Sequence, residues 1–177
     1  MKRFLIIIMS IFLSTINFAQ NKPDKSVTHK SSIKSQAEKM GSLLLKNDFE
    51  GFIKYTYPKV VEKLGGKKKM IAIMQNGSRQ MESEGSKFLN VTIGNPGKIL
   101  TVGSELQSSL PQTIEMQVSG GKLITKSTLI AISSDKGVNW YFIDTSGKDI
   151  HQMRKLLPNL STQLLIVKAE KPTFYKA

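Results

Sequence analysis

The period of the apolar residues changes about halfway along the chain, and this change limits the fold more than any other feature. Up to about residue 86 the apolar residues recur every three or four positions, as on one face of a helix. From about residue 88 they alternate with polar residues, most clearly at Ile114, Met116 and Val118 before a Gly120-Gly121 turn. Helices first and strands afterwards predict an α+β fold in which N-terminal helices pack on a curved antiparallel sheet.

Three helical units are predicted in the first half. The first begins near Ile33 and ends at Asn47, where Asp48 is suited to cap a further turn. Pro58 fits the first turn of the second unit, and a pair of glycines at 65–66 ends it. The third unit carries methionine and isoleucine on one face and ends in the polar run at 82–86.

Four or five antiparallel strands are predicted in the second half. They cover residues 88–93, 98–103, 114–118, 122–133 and 138–144, with glycine-containing turns between them. A helix-like segment at 147–157 follows, and the apolar run at 164–167 is suited to a terminal strand. The periodicity predicts these core residues: Phe52, Val61, Ile73, Ile114, Ile130 and Phe142.

The N-terminal residues have the pattern of a secretory signal peptide. Lys2 and Arg3 precede an apolar run at 4–13 that is too short to span a bilayer, and cleavage is expected after Ala19. We therefore predict export to the periplasm or the extracellular space, with no membrane attachment after cleavage. The expected division is a signal peptide at 1–19, a flexible polar leader at 20–32, one α+β domain at 33–167 and a C-terminal tail at 168–177.

The composition excludes several classes of site. The chain has no cysteine, so disulfides, thiolate metal ligands and a cysteine nucleophile are excluded. The formal net charge is +13, but Arg79 and Arg154 are the only arginines after the signal peptide. Scattered lysines with only two arginines do not suit bidentate contacts to bases, and they predict a solvated basic surface and no nucleic-acid partner.

Two segments resemble members of the nuclear transport factor 2-like superfamily, also called cystatin-like. The run YTYPKVV at 55–61, followed by GGKKKM at 65–70, is similar to the passage between helices in uncharacterised exported bacterial members. The turn DKG at 135–137, leading into WYFID at 140–144, is similar to a strand entry in the same proteins. The resemblance covers roughly 33–167 and implies helices packed into the concave side of a bent sheet, with a conical pocket between them. It does not imply one function, because the superfamily includes isomerases and cyclases as well as adaptors, immunity proteins and dimerisation domains.

No convincing catalytic or metal-binding set is present in the sequence. His29 lies in the expected leader, and His151 is expected on the surface of a late helix. Asp144 is in phase with Trp140 and Phe142 on its strand, but its position before a turn favours a capping role. There is no carboxylate cluster with metal-ligand spacing and no phosphate-binding loop, so no metal and no cofactor are predicted.

An apolar pocket is the predicted binding feature. We interpret the chain as a non-enzymatic module that binds a small apolar ligand or a protein partner. The alternatives are an isomerase-like or cyclase-like enzyme that uses Asp144, and a structural dimerisation domain; a homodimer is compatible with each. The predicted pocket residues are aromatic or methionine side chains together with one carboxylate: Tyr55, Tyr57, Met74, Met116, Trp140, Phe142 and Asp144.

Overall fold

The computed structural model describes residues 25–168 and 170–176, so the predicted signal peptide and the start of the leader lie outside the described residues. The chain forms helices first and an antiparallel sheet afterwards, as predicted. The helices are α1 (Lys25–Leu45), α2 (Phe49–Ile53), α3 (Pro58–Lys63), α4 (Lys67–Ser83) and α5 (Ile150–Leu156). The strands are β1 (Lys87–Ile93), β2 (Leu100–Val102), β3 (Glu105–Val118), β4 (Gly121–Ser133), β5 (Tyr141–Asp144) and β6 (Thr173–Lys176).

The sheet is built around the long hairpin of β3 and β4. Its main order is β1-β3-β4-β5, with β2 paired to β3 and β6 paired to β4, and every pairing is antiparallel. Strands β1 and β2 do not pair with each other, although a turn-forming Asn95-Pro96-Gly97 separates them. Strand β3 has 14 residues and accommodates both, β2 along 105–107 and β1 along 112–117.

Local signals in the sequence account for the helix boundaries. The Asp48 carboxylate accepts a hydrogen bond from the backbone N–H of Gly51, and Pro58 opens α3. Gly65 ends the same unit with a φ of 90°, a conformation that a β-carbon disfavours. The Asp149 side chain and Gln152 form a reciprocal capping box at the start of α5.

Both faces of the sheet are covered around β4, where residues 128–133 are all buried. On one face, which we call the α1 face, α1 packs on Leu110, Leu129, Ala131 and Phe142. On the opposite face, the α5 face, α5 and the segment after it pack on Ile130, Ile132 and Ile143. The expected layer of N-terminal helices is therefore present, and a second apolar layer lies on the other side of the sheet.

Two segments at the ends of the domain differ from expectation. Helix α1 begins at Lys25, so residues 25–32, expected within a flexible leader, are helical. A tertiary contact is present in this segment: the His29 and Trp140 rings meet edge to face, with their centres 6.3 Å apart. The composition of the segment gives no sign of this contact. The segment at 164–167, expected to form a terminal strand, has no regular secondary structure. Its first residue, Leu164, is buried on the α5 face.

Strand β6 lies within the expected tail, at 173–176. It pairs with β4 at residues 121–124, where Gly121 allows the close approach. A β-carbon at Gly121 would overlap the carbonyl oxygen of Tyr175. A glycine expected to serve only the preceding turn thus also admits a further strand.

The core predictions are confirmed in part. Ile130 and Phe142 are buried, with 0% and 2% of their surface exposed. Phe52, Val61 and Ile114 are half-buried. The prediction for Ile73 is wrong, because 49% of its surface is exposed. It lies on α4, a helix whose one buried residue is Met70. No helix in the described part of the chain is long and apolar enough to cross a membrane.

Candidate functional site

A cavity of about 250 Å³ lies between the N-terminal helices and the α1 face of the sheet. We call it the α1-face cavity. Residues of α1, α2, α3 and α4 form one side of it, and residues of β3, β4 and β5 form the other. Its apolar walls include Met40, Leu44, Phe52, Met70, Leu129 and Phe142. Such walls suit an apolar ligand.

Gln112 brings a buried amide to the lining of this cavity. It lies on β3 opposite Ser127 of β4, and only 5% of its surface is exposed. Its side-chain nitrogen donates to Asp144 Oδ2 at 2.8 Å and to Ser127 Oγ at 3.3 Å. A carboxylate only accepts, so the Gln112 atom facing Asp144 has to be the nitrogen. The Gln112 side-chain oxygen then has no donor within the described residues.

Asp144 ends β5 and lines the same cavity. Its Oδ1 accepts from the backbone N–H of Ser146 at 2.6 Å, the turn-capping bond expected from the sequence. Its Oδ2 accepts from Gln112 and also from Ser127 Oγ at 3.0 Å. Because the residue is exposed, solvent reaches the carboxylate, which therefore marks the mouth of the cavity. The carboxylate is held in place by three donors.

Thr56 is the third polar residue of the lining, and its hydroxyl is unusual. The residue is 7% exposed, and Oγ1 has no hydrogen-bond partner in the described part of the chain. The backbone around it closes the edge of the sheet, since the N–H of Tyr57 donates to the carbonyl of Phe142 at 3.1 Å. A buried hydroxyl without a partner is uncommon in folded proteins and invites a ligand or water as partner.

Of the residues predicted for the pocket, Phe142 and Asp144 line the α1-face cavity. Trp140 is buried in the α1-face core, where its indole N–H donates to the Gly137 carbonyl at 3.0 Å. Tyr55 packs against that core, and Tyr57 belongs to the α5 face. The two predicted methionines, Met74 and Met116, are half-buried and are not among the lining residues.

Sequence reasoning did not propose Gln112 or Thr56. A signal for Gln112 was present, because it alternates in phase with Leu110 and Ile114 on β3 and so shares their inward face. For Thr56 there was no comparable signal. It lies in an irregular segment whose burial comes from pairing with β5, a contact distant in sequence.

A second cavity, of about 230 Å³, lies on the α5 face. Three of its polar side chains, Tyr57, Glu105 and Gln107, form one hydrogen-bond network. The Gln107 nitrogen donates to Glu105 Oε2 and to the Asn159 carbonyl, both at 3.1 Å, and its oxygen accepts from the Ser161 N–H at 2.9 Å. Tyr57 donates to Glu105 Oε1 at 3.3 Å. Burial, and then the charge of Glu105, raises the pKa of Tyr57 to about 12.

No group of three or more His, Cys, Asp or Glu side chains that could hold a metal ion occurs among the described residues. Neither of the two histidines is among the residues that line the α1-face cavity. His29 contacts Trp140, and His151 lies on α5, on the opposite face of the sheet.

No family model matches the chain, and neither does any curated protein. Among solved structures the chain is similar to an M. tuberculosis LEH-like epoxide hydrolase, with 16% sequence identity and a TM-score of 0.38. The similarity covers 73% of this chain and 91% of the other. A score this low assigns neither a family nor an activity. The molecule itself is an α+β domain in which N-terminal helices pack on an antiparallel sheet, with the α1-face cavity between them.

Proposed function

We propose that this chain is a non-enzymatic binding module of the nuclear transport factor 2-like type, and that the α1-face cavity binds a small, mainly apolar ligand. The observation that carries the proposal is the combination of apolar walls with polar side chains that keep hydrogen-bonding capacity, namely Thr56, Gln112 and Asp144. Ligand sites in proteins commonly have this composition.

The walls supply the favourable free energy of binding. A ligand that buries about 200 Å² of apolar surface gains about 5 kcal/mol at 25 cal/mol per Å². Immobilising the ligand offsets part of this gain. The polar residues add orientation, because a bound group that bonds to Thr56 or Gln112 satisfies capacity that the protein leaves open.

Filling the cavity tests the proposal. Ile114 lines the cavity from β3, and Met116 lies two residues further along the same strand, half-buried and outside the lining. We expect Ile114→Phe to weaken binding of 1-hexanol at least tenfold and Met116→Phe to leave it within about twofold, since one added ring occupies ligand space and the other does not. Amide chemical shifts during titration report the affinity and the place of binding.

Native mass spectrometry of the purified protein complements the titration by identifying retained small molecules. Retained molecules that are lost from Ile114→Phe but kept by Met116→Phe support the proposal. If neither 1-hexanol nor toluene shifts the amides that line the cavity, the proposal is wrong.

An enzyme is the second candidate, favoured by one observation: Asp144 is held at the cavity mouth by three donors. A positioned carboxylate is what an isomerase or a cyclase needs for proton transfer. The enzyme proposal replaces the binding proposal if the parent protein converts a retained ligand and Asp144→Asn still binds this ligand but no longer converts it. The dimerisation alternative has less support, since both sheet faces are covered at residues 128–133.

We also propose export with cleavage after Ala19, on the basis of the charged start and the short apolar run. The intact mass of protein from the extracytoplasmic fraction tests this. A mature chain beginning at Gln20 is expected, whereas a full-length cytosolic chain would contradict export.

A further inference from the structure

We propose that the ligand of the α1-face cavity carries a hydrogen-bond donor, and that the preferred group is a protonated amine bound between Gln112 and Asp144. This inference rests on the proposed binding function and specifies the chemistry of its ligand. It follows from counting the donors and acceptors left over at the polar end of the cavity.

The side-chain donors of Gln112 and Ser127 are all in use. Both hydrogens of the Gln112 amide nitrogen are directed to protein acceptors, Asp144 Oδ2 and Ser127 Oγ. The Ser127 hydroxyl donates its own hydrogen to Asp144 Oδ2. The capacity that remains is accepting capacity: the Gln112 oxygen and the lone pairs of the carboxylate that the three bonds do not use. Among the described residues that line the cavity, a ligand group that only accepts hydrogen bonds finds one open side-chain donor, the Thr56 hydroxyl, whereas a donor group can bond to Gln112, to Asp144 and to Thr56.

The charge of the lining points to the same class of ligand. Among the described residues that line the cavity, Asp144 is the one ionisable side chain, and there is neither a lysine nor an arginine. A cationic donor beside a carboxylate gains a charge-assisted hydrogen bond, roughly twice as strong as a neutral one. An anion at the same place is repelled by the Asp144 carboxylate, whose charge no cationic side chain of the described lining offsets.

The net charge of the protein makes this preference testable. The formal charge of the chain is +13, so nonspecific electrostatics favour anions and disfavour cations over the surface as a whole. A preference for amines therefore has to come from a local feature.

The experiment compares hexylamine, 1-hexanol and hexanoate at about pH 7, by amide-detected titration of the chain. The three share one apolar tail and differ in charge. We expect hexylamine to bind at least about tenfold more tightly than 1-hexanol, with hexanoate weakest, and the shifted amides to surround the cavity. An alcohol that binds as tightly as the amine, or a hexanoate that binds most tightly, overturns this inference while the proposed binding function stands. If none of the three shifts the cavity amides, both are wrong.

Asp144→Asn identifies the charge responsible. The amine and the alcohol should then bind within about threefold of each other. Asp149→Asn is the matched control, because it removes the same charge from a capping position on α5, where the Asp149 carboxylate accepts from Gln152 N–H. It should keep the tenfold preference. Loss of preference in both variants would mean that overall charge decides, and would overturn the inference. The probe series on the parent decides the matter even if Asp144→Asn does not fold.

Discussion

Gln107 and Gln112 lie five residues apart on β3, on opposite faces of the sheet, and both are buried, with 0% and 5% of their surface exposed. On the α5 face the nitrogen and the oxygen of Gln107 are all bonded to protein, which ties β3 to the segment at 159–161. On the α1 face only the nitrogen of the Gln112 amide bonds to described protein groups, and its oxygen can accept a hydrogen bond from another molecule. The same residue type thus joins two parts of the fold in one place and prepares a binding surface in the other.

The largest expected effects come from adjacent β4 residues that face opposite ways. Ile130 is 0% exposed in the α5-face core, and Leu129 is 1% exposed at the wall of the α1-face cavity. We expect Ile130→Ala to lower the free energy of unfolding by about 3 to 5 kcal/mol, and Leu129→Ala by about 2 to 3, because Leu129 already borders empty space. Urea denaturation measures both. Binding of 1-hexanol should change in Leu129→Ala alone; a change in Ile130→Ala instead would break the distinction between the faces.

The two glutamines give the next largest difference. Gln107→Ala removes three part-buried hydrogen bonds, to Glu105, to the Asn159 carbonyl and from the Ser161 N–H, so we expect a loss of about 2 to 4 kcal/mol. Gln112→Ala removes bonds to Asp144 and Ser127, which water can replace at the cavity mouth, and about 1 kcal/mol is expected. Denaturation midpoints of the two variants settle the order. A larger loss for Gln112→Ala would assign it the structural role.

Alkaline pH is expected to weaken the hydrogen-bond network of the α5 face through Tyr57, which has no counterpart in the α1-face network of Gln112, Ser127 and Asp144. The pKa of Tyr57 is raised to about 12, from 10.0, so folding favours the neutral phenol. The resulting stabilisation is complete below about pH 10 and is lost as the pH rises towards 12. The stability advantage of the parent over Tyr57→Phe should therefore shrink across this window. Paired denaturation curves at about pH 9 and pH 11.5 measure it; an advantage that grows with pH would contradict the assignment.

The smallest expected effect on stability is that of Asp144→Asn. Asp144→Ala removes the turn cap, at a cost of about 0.5 to 2 kcal/mol. Asp144→Asn keeps an oxygen for the Ser146 N–H, and Gln112 can turn its amide to accept from the new nitrogen, so less is lost. Urea denaturation at neutral pH compares the two. A clear stabilisation by asparagine would mean that the carboxylate is kept at the expense of the fold, which favours the enzyme candidate.

The parts of the fold that the sequence predicted well have local causes. Asp48, Pro58 and the 120–121 turn act within a few residues, so their patterns can be interpreted directly. The parts that differed depend on partners far along the chain. Residues 25–32 are the start of α1, and Gln36 of this helix accepts a hydrogen bond from the Trp140 N–H, about a hundred residues later in the sequence. Strand β6 pairs next to Gly121, which lies some fifty residues earlier and leaves room for it.

The candidate site was predictable only at the end of β5. Asp144 and Phe142 share a face by strand alternation, and the structure places both at the cavity. The run at 128–133 has no alternation, which is typical of a strand buried on both faces, yet a run of this length does not say what covers each face. Ile73 follows the helical period, but α4 has too little buried surface to cover it.

Strand β4 belongs to both cores at once, and this has a consequence for how the molecule opens. The same six residues, 128–133, give a packing surface to both apolar layers, so displacing β4 from the sheet disrupts both layers together. The domain should therefore lose both layers in a single cooperative transition, even though they are separated by the sheet. In native-state hydrogen exchange, the amides of Leu129 to Ile132 should exchange only through global unfolding, and the N–H groups of β6 through local fraying at much lower free energy.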